Sequence, residues 1–294
     1  MANSITKFKK YISLLDEVYK LASLSSILDS DPQTAQQGAN ANEIIIPKLS
    51  MDGLADYDRN SGYVKGSVTL TNETVQFNYE RGRKFEVDAM DNEETAGVAF
   101  GKLASEFIRT KVGPEIDAFR FAQYAGTTGI SKISAGATLS TGASVIEALR
   151  AANNKMDEDE VPYEGRLLFI TPTLKGLIED LDTTKSREVL GSFSNVIKVP
   201  QSRFYTQITL LDGTAEGETA GGYSKTATTG ADINFMVIHK SAIMQYPKHT
   251  VNKVITPEEN QSSDAWLFFY RSYGLADVYE NKTAGIYLHH KAAG

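Results

Sequence analysis

A single apolar stripe runs from Asp91 to Tyr124 and predicts one long helix. Phe100, Leu103 and Phe107 recur at steps of three and four, and Ile108, Val112, Ile116 and Phe119 continue at steps of four and three. At about 1.5 Å per residue such a helix would span about 50 Å, well beyond an average globular helix. Proline removes an amide and crowds the preceding turn, so we expect a bend or interruption at Gly113-Pro114, with Pro114 restarting the helix. The stripe fits an ordinary core helix, two consecutive helices, or a spine that joins distant parts of an elongated subunit.

In the segment 43–88 the apolar period changes from helical spacing to two. EIIIPKLSM predicts a first strand, a Gly/Asp/Asn-rich turn region follows, and the rest alternates apolar with polar residues. Val68 and Leu70 share one parity and Val75 has the other, which predicts a turn or bulge at Asn72-Glu73. A long hairpin needs a surface to lie on, because two strands alone are marginal in water. That surface is either a neighbouring subunit or the sheet of its own domain.

The two ends of the chain also carry readable patterns. Residues 4–28 have apolar side chains at helical spacing between lysines, and 29–42 form a polar arm. The terminal stretches AWLFFYRSYG and GIYLHH have strong strand propensity, and their apolar content requires burial, with the long helix as the expected surface.

The middle of the chain predicts a compact α/β region. RLLFIT, a buried strand, runs directly into Pro172, which suits the first position of a helix. We further expect a helix over 144–156, a strand pair near 194–199 and 207–211, an exposed loop over 212–232, and a buried strand over 233–239.

Composition narrows the class of protein. The 294 residues carry no cysteine, so disulfides, thiolate metal sites and a cysteine nucleophile are excluded. The sequence has no run of 18 apolar residues and no recognisable export signal, so we expect a cytosolic product without a membrane partner. A net charge of −7 argues against a broad nucleic-acid-binding face, but suits a protein that encloses DNA without sticking to it.

Catalytic and cofactor signatures are missing. The sequence contains no GxGxxG, GxxxxGK[ST], GxSxG or HExxH, so we expect no catalytic, cofactor-binding or metal site and assign no enzyme activity. His289 and His290 are adjacent on a predicted strand and would point to opposite faces, which does not suit one metal. Glu158, Asp159 and Glu160 could supply paired carboxylates for acid/base or cation chemistry, but a solvated charge run is the favoured explanation.

The order of these elements resembles the major capsid protein of tailed double-stranded DNA bacteriophages, an α+β architecture called the Johnson fold. The resemblance covers nearly the whole chain. It rests on a flexible arm, a two-stranded excursion, a long helix, a middle α/β region and a returning strand, and on two phrases typical of such proteins: VQFNYERGRKFEVDAMDNEET and RSYGLADVYENKTAGIYLHHKA. No short motif is diagnostic.

The resemblance implies a division of the chain. Residues 1–42 correspond to the N-terminal arm and 43–88 to an extended β-hairpin loop that lies over an adjacent subunit. Residues 89–135 and 244–294 correspond to a peripheral domain that includes the spine helix 91–124, and 136–243 to an axial domain. Because only about 42 residues precede the hairpin, the chain resembles members that use a separate scaffolding protein or members that have already been processed, and Met1 favours the former.

The function implied is self-assembly into pentamers and hexamers of an icosahedral shell. The other partners implied are a portal and packaged double-stranded DNA, which is held without sequence-specific contact, and the location is the virion capsid, assembled in the host cytoplasm. From exposure and charge alternation we predict inter-subunit contacts at the loop tip, at the charged stem that follows it and at the start of the spine: Asp56, Tyr57, Asp58, Arg59, Tyr63, Lys65, Glu80, Arg81, Arg83, Lys84, Glu93 and Glu94.

Three other readings stay open at this point. An encapsulin-type bacterial compartment shell has the same fold and encloses an enzyme. A phage tail component would form tubes or rings. A hydrolase would use Glu158 and Glu160 in a cleft.

Overall fold

The structure is a computed structural model that describes residues 23–30, 36–37, 43–94, 98–181 and 183–292; the side chains of 36–37 and 93–102 are not described. The helices are α1 (Ala89–Glu94), α2 (Val98–Phe107), α3 (Gly113–Gly126), α4 (Gly142–Glu158), α5 (Pro172–Glu179) and α6 (Thr184–Gly191). Short 3-10 turns occupy Ser25–Leu28, Gln201–Arg203, Lys240–Ala242 and Glu280–Gly285. Most of the helix predicted over 4–28 lies outside the described residues.

Thirteen strands are present in this described part of the chain. They are β1 (Gln36–Gln37), β2 (Glu43–Met51), β3 (Val68–Gln76), β4 (Tyr79–Asp88), β5 (Ser131–Lys132), β6 (Arg166–Ile170), β7 (Asn195–Lys198), β8 (Ile208–Leu211), β9 (Gly222–Lys225), β10 (Ile233–His239), β11 (Ile243–Ile255), β12 (Ala265–Val278) and β13 (Ile286–His290). They form sheets in the orders β1-β2-β3, β5-β13-β10-β6-β7, β11-β12-β4 and β8-β9. The α+β class is confirmed.

The predicted long helix is present from Val98 to Gly126, which we call the long helix. Its two α-helical parts are joined by a π-helical stretch, Ile108–Val112, in which the Gly113 amide bonds to the Ile108 carbonyl. Pro114 follows in the first turn of α3, where a missing amide costs little. The irregularity expected at Gly113-Pro114 is therefore confirmed, and it takes the form of a widened turn just before the proline.

The long helix packs on one face of the β11-β12-β4 sheet. Phe107 contacts Tyr270 and Phe85, with ring centroids 5.8 and 4.7 Å apart. Farther along, Phe121 meets Phe169 of β6 at 5.1 Å. The long helix thus ties the three-stranded sheet to the five-stranded sheet, as the spine interpretation requires, and it covers the C-terminal strands as expected.

The five-stranded sheet is packed on both faces, with α4 and α5 covering the side opposite the long helix. The predicted strand-to-helix unit at 166–172 and the buried strand at 233–239 are confirmed. The helix predicted over 144–156 extends to Gly142–Glu158, since Thr141 and Ser144 cap its start reciprocally.

Two predictions about strand pairing and loops were wrong. Strands β7 and β8 exist but do not pair together, because β7 pairs parallel to β6 and β8 pairs with β9. The segment 212–232 is not loop throughout, since it contains β9. The last strand, β13, lies between β5 and β10 in the five-stranded sheet. The division of the chain into 136–243 and 244–294 stays a prediction.

The hairpin is formed by β2 and β3, which stay in antiparallel register from the pair Glu43–Gln76 to the pair Met51–Val68. The turn predicted at Asn72-Glu73 is wrong, because β3 runs straight through it. The hairpin ends at Gln76, and β4, although within the predicted 43–88 excursion, is an edge strand paired with β12. The change of apolar parity between Leu70 and Val75 shows where the apolar face of β3 switches from one side of the hairpin to the other.

Candidate functional site

The root of the hairpin is buried against the body of its own subunit. Ile44 and Val75 are directly opposed in the ladder and pack with Met244, Tyr246 and Leu275 on the face of the β11-β12-β4 sheet that faces away from the long helix. One side of the hairpin is therefore satisfied within the chain at this end.

The outer half of the hairpin exposes its other face. Leu49 is opposite Leu70, and Met51 is opposite Val68, so these four side chains share one face and lie next to one another. Leu49 and Leu70 are 55% and 67% exposed. We call these four residues the apolar patch. Clustered exposed apolar side chains of this kind mark an interaction surface.

The tip, residues 52–67, continues the apolar character of this surface. Leu54 is fully exposed and Val64 largely so. Tyr57 and Tyr63 are exposed but contact each other edge to face, with ring centroids 4.8 Å apart. The predicted tip residues Asp56, Tyr57, Asp58, Arg59, Tyr63 and Lys65 are all located on this loop and are all exposed.

A small turn gives the tip its shape. The Asp58 carboxylate accepts hydrogen bonds from the amides of Asn60 and Ser61, at 2.5 and 3.0 Å, while the Gly62 amide donates to the Asp58 carbonyl at 2.7 Å. The two amides lower the pKa of Asp58 below 3.8 because they stabilise the carboxylate. Gly62 has a φ of +81°, a conformation that glycine adopts without strain.

The predicted stem residues lie on β4 and bind groups of their own chain. Arg81 donates to Glu115 of the long helix at 2.8 Å and to the carbonyl of Leu211 at 2.8 Å, while Arg83 donates to the carbonyl of Thr219 at 3.0 Å. Lys84 pairs with Glu86 and Glu80 pairs with Arg271. The side chains of Glu93 and Glu94 lie outside the described residues. Contacts of the stem with a neighbouring subunit stay a prediction.

Next to the hairpin root, the same sheet face is uncovered. Its residues form a groove of about 570 Å³ that combines cations with apolar and aromatic side chains. We call this the open face, and its main members are Lys84, His249, Val251, Lys253, Phe269 and Arg271. Among the residues that the structure describes, Lys253 and Lys248, five positions earlier on β11, have no carboxylate within ion-pair distance.

Lys48 marks the boundary between the covered root and the exposed outer half. Its ammonium lies 3.1 Å from Glu73 on β3 and contacts Glu280, just past the end of β12. The hydrogen bond to Glu280, above all, raises the pKa of Lys48 above 10.5. Along β12, the open face comes first, at 269–271, the hairpin root packs farther on, at Leu275, and Glu280 follows the end of the strand. Because Lys48 of the hairpin contacts Glu280, the hairpin extends from its root away from its own open face.

The carboxylates Glu158, Asp159 and Glu160 lie at and just past the end of α4. Asp157 binds Arg166 at 2.7 Å and Asp159 binds Lys155 at 2.6 Å, so the run caps the end of α4. Three of the best-formed grooves on the described surface are lined by other residues. Within that same part of the chain no group of three or more histidine, aspartate or glutamate side chains could hold a metal ion, and no helix is long and apolar enough to cross a membrane.

The histidines are structural where the sheet buries them. The side-chain amide nitrogen of Asn234 donates to Nδ1 of His289 at 3.0 Å, and burial lowers the pKa of His289 to about 4, with a smaller contribution from His290. His239 bridges Ser241 and the Glu164 carbonyl, each at 2.8 Å.

The sequence reasoning missed the apolar patch and the open face. The patch had a usable signal, since Leu49 and Met51 are two positions apart on β2, as Val68 and Leu70 are on β3, and each pair therefore lies on one face of its strand. The open face had none, because it depends on which strand pairs beside β12 and on how far the hairpin covers the sheet.

Comparison of the fold with solved structures finds capsid proteins and a related particle. A structure from Gordonia phage Cozz matches with a TM-score of 0.60 at 13% identity, covering 92% of this chain and 87% of that one. The capsid structure of cyanophage P-SCSP1u matches at 0.56 and 12% identity, covering 88% and 86%. A virus-like particle from Pyrococcus furiosus matches at 0.55 and 12% identity, covering 96% and 99%.

Sequence comparisons give no relatives. No family model matches the chain, and no curated protein matches it. At 11 to 13% identity the likeness is one of fold, and it extends over most of each chain. The chain therefore has the tailed-phage capsid, or Johnson, fold that the order of its sequence elements resembles.

Proposed function

We propose that this chain is a structural shell subunit, the major capsid protein of a tailed bacteriophage. The observation that carries the proposal is the apolar patch on the outer hairpin, set on a subunit with a capsid fold. A soluble subunit does not keep four adjacent aliphatic side chains in water without use. Copies of the same chain supply the missing cover in a shell.

The contact we infer joins two different surfaces of the subunit. The hairpin points away from its own open face, so its patch and tip reach the open face of a second copy instead. Such a head-to-tail contact generates rings when the rotation closes, which is what pentamers and hexamers require. Many modest contacts of this kind add up to a stable shell.

Chemistry supports this pairing of tip and open face. The tip offers Leu54 and Val64 beside three aspartates, Asp52, Asp56 and Asp58. The open face offers Val251 and Phe269 beside the cations Lys84, Lys253 and Arg271. Apolar groups meet apolar groups and acids meet bases, while Glu80 and Glu86 on the open face match Arg59 and Lys65 on the tip.

The finer parts of the proposal follow from the fold. The arm 1–42, the hairpin and residues 136–243 are inferred to make contacts between subunits, the last of these around the symmetry axes. A scaffolding protein, a portal and packaged double-stranded DNA are the inferred partners, and assembly in the host cytoplasm leads to the virion capsid. The net charge of −7 suits a lining that does not hold DNA tightly.

The first experiment removes the apolar patch. Leu49→Ser with Leu70→Ser should leave the subunit folded and stop assembly, as judged by sedimentation and negative-stain imaging of the expressed protein with a scaffold. The control is Thr69→Ala with Thr71→Ala on the opposite, exposed face of the same strand. Shells of normal yield and heat resistance from the Leu49/Leu70 variant would contradict the proposal.

The second experiment tests the partner surface. Lys253→Glu should reduce assembly at low salt, and Asp56→Lys in the same chain should restore part of it by reversing both signs. The control is Lys185→Glu on α6, an exposed cation far along the chain. Failure of the reversal to rescue any assembly would place the tip on another surface.

The contents of the particles separate the shell classes. Nucleic acid inside large shells that need scaffold supports the capsid, whereas small thin-walled shells with protein cargo support a compartment shell. Tubes or open rings would support a tail component.

A further inference from the structure

A completely buried carboxylate, Asp117, lies where three parts of the subunit meet: the long helix, the connection that leaves the five-stranded sheet and the β11-β12-β4 sheet. It is on α3, and its oxygens accept hydrogen bonds from the Ser23 hydroxyl at 2.8 Å, the amides of Leu24 and Ser25 at 3.0 Å each, and the Ser25 hydroxyl at 2.7 Å. All four donors belong to residues 23–25. This short segment therefore closes over the carboxylate and separates it from water.

The same carboxylate is bound from another direction by Arg203. The guanidinium lies 3.1 Å from the second Asp117 oxygen. Arg203 ends the 3-10 turn between β7 and β8, and the next residue, Phe204, is buried against Phe121 with ring centroids 4.9 Å apart. One ion pair thus links the long helix to the connection that leaves the five-stranded sheet.

Residues 23–30 are also hydrogen-bonded to the β11-β12-β4 sheet. The Gln245 amide group donates to the Ser25 carbonyl at 2.9 Å and to Asp29 at 2.6 Å, while its oxygen accepts from the Tyr124 hydroxyl at 2.6 Å. The Ser30 amide donates to the Gln245 carbonyl at 3.0 Å. The segment consequently has defined partners in all three parts.

We propose that residues 23–30 are a latch whose attachment strengthens the hold of the long helix on Arg203. With the latch in place, the ion pair between Asp117 and Arg203 is shielded from water, and charges attract more strongly in such surroundings. When 23–25 leave, water reaches the carboxylate and the pair weakens to that of an exposed ion pair. The two contacts stabilise each other through a shared buried charge.

The coupling must also work in reverse. Without Arg203, the covered carboxylate loses its cation, and burying an unbalanced charge is costly, so the latch opens more readily. Thermodynamic linkage makes the two effects equal in size. A pull on the segment that precedes Ser23, or its binding to another molecule, is thereby transmitted to the turn at Gln201–Arg203.

Hydrogen exchange on the unassembled full-length subunit tests the coupling. Ser23→Ala with Ser25→Ala removes latch contacts without altering Arg203. We expect the amides of Arg203, Phe204 and Thr206, all hydrogen-bonded in the structure, to exchange roughly fivefold or more faster, as for a typical coupling between sites. Arg203→Gln should accelerate exchange at Leu24 and Ser25 by a similar factor.

A matched control lies in the same segment. Ser26 donates to the Ser23 carbonyl and does not bind Asp117, so Ser26→Ala should leave exchange at 201–206 unchanged. Should the double variant destabilise the whole subunit, seen as faster exchange in β10, Ser23→Ala alone gives a milder test. Faster exchange confined to 23–30 in the latch variants would overturn the proposal, whether or not the protein assembles into shells.

Discussion

The two halves of the β2-β3 hairpin share one ladder and opposite surroundings. At the root, Ile44 and Val75 are buried on the body, whereas Leu49 and Leu70, five residues farther out on each strand, are mostly exposed on the other face. The residue types are alike, so propensity cannot explain the difference. A two-stranded ribbon has no core of its own, and the partner that covers it decides which face must be apolar.

The comparison explains the parity change in β3. Val75 points to the subunit's own sheet, and Val68 and Leu70 point to the side that we infer a neighbour covers. A switch of apolar parity within an unbroken strand therefore indicates a change of covering partner rather than a turn.

The largest expected effect on stability comes from truncating Leu275, on which the hairpin root packs. Leu275→Ala should lower the free energy of unfolding by about 3 kcal/mol, because a buried leucine leaves both lost apolar burial and a cavity. Urea denaturation of the unassembled subunit measures it. Leu70→Ala, the control on the outer half, should stay within about 0.5 kcal/mol. An equal loss in both variants would show that the outer half is covered within the subunit.

The sequence reveals what local physics determines. The long helix, the strand entering Pro172 and the strand over 233–239 follow from apolar spacing and proline position, and the structure confirms them. The π-helical form of the interruption could not be read, since it reflects how the helix adjusts to the sheet beneath it.

Pairing between distant segments could not be predicted from spacing. From its sequence, β4 is predicted as a continuation of the hairpin, because it has the same alternation of apolar and polar residues as β3. In the structure it pairs with β12 of the body sheet, which lies almost two hundred residues later in the chain. The same limit hid the latch. Asp117 looks like an ordinary helix acid, and only folding brings Ser23, Ser25 and Arg203 around it.

The point where the hairpin leaves the sheet depends on Asn78. Its side-chain amide donates to the Ala276 carbonyl at 2.8 Å and its oxygen accepts from the Ala276 amide at 3.1 Å, replacing a strand neighbour that β4 no longer supplies. Asn78→Ala should destabilise the subunit by about 2 kcal/mol, because both backbone groups of the buried Ala276 lose their partner.

The matched control for Asn78 is Asn72→Ala, an exposed asparagine of β3 that pairs with Pro47 in the hairpin. Denaturation curves should show almost no change for Asn72→Ala. If the two asparagines proved equally important, the root would not be the end at which the body holds the hairpin.

A smaller effect is expected at Lys48, where the root ends. Lys48→Gln should widen the range of hairpin directions, because it removes the ion pairs with Glu73 and Glu280. The cysteine-free chain allows spin labels at cysteines introduced only at Ser50 and Asn281, and pulsed electron resonance measures their distance distribution. The pKa of Lys48 is raised above 10.5, so this contribution is present at neutral pH and lost only as pH rises through the raised value.

The control for Lys48 is Lys65→Gln, at the tip, which should leave the distribution unchanged. A distribution as narrow in Lys48→Gln as in the native chain would mean that apolar packing at Ile44 and Val75 alone sets the hairpin's direction.

The smallest effect concerns the tip, which the body does not cover. Because the amides of Asn60 and Ser61 lower the pKa of Asp58 in the folded turn, their contribution is present above 3.8 and is lost as pH falls through the lowered value. The amide resonances of Asn60 and Ser61 should therefore titrate with a midpoint below 3.8, while amides at the root do not follow. Asp58→Asn should abolish this titration, and Asp56→Asn should preserve it. A midpoint at or above 3.8 would mean that the turn does not hold the carboxylate, and the tip would then acquire its shape only on the surface of a neighbour.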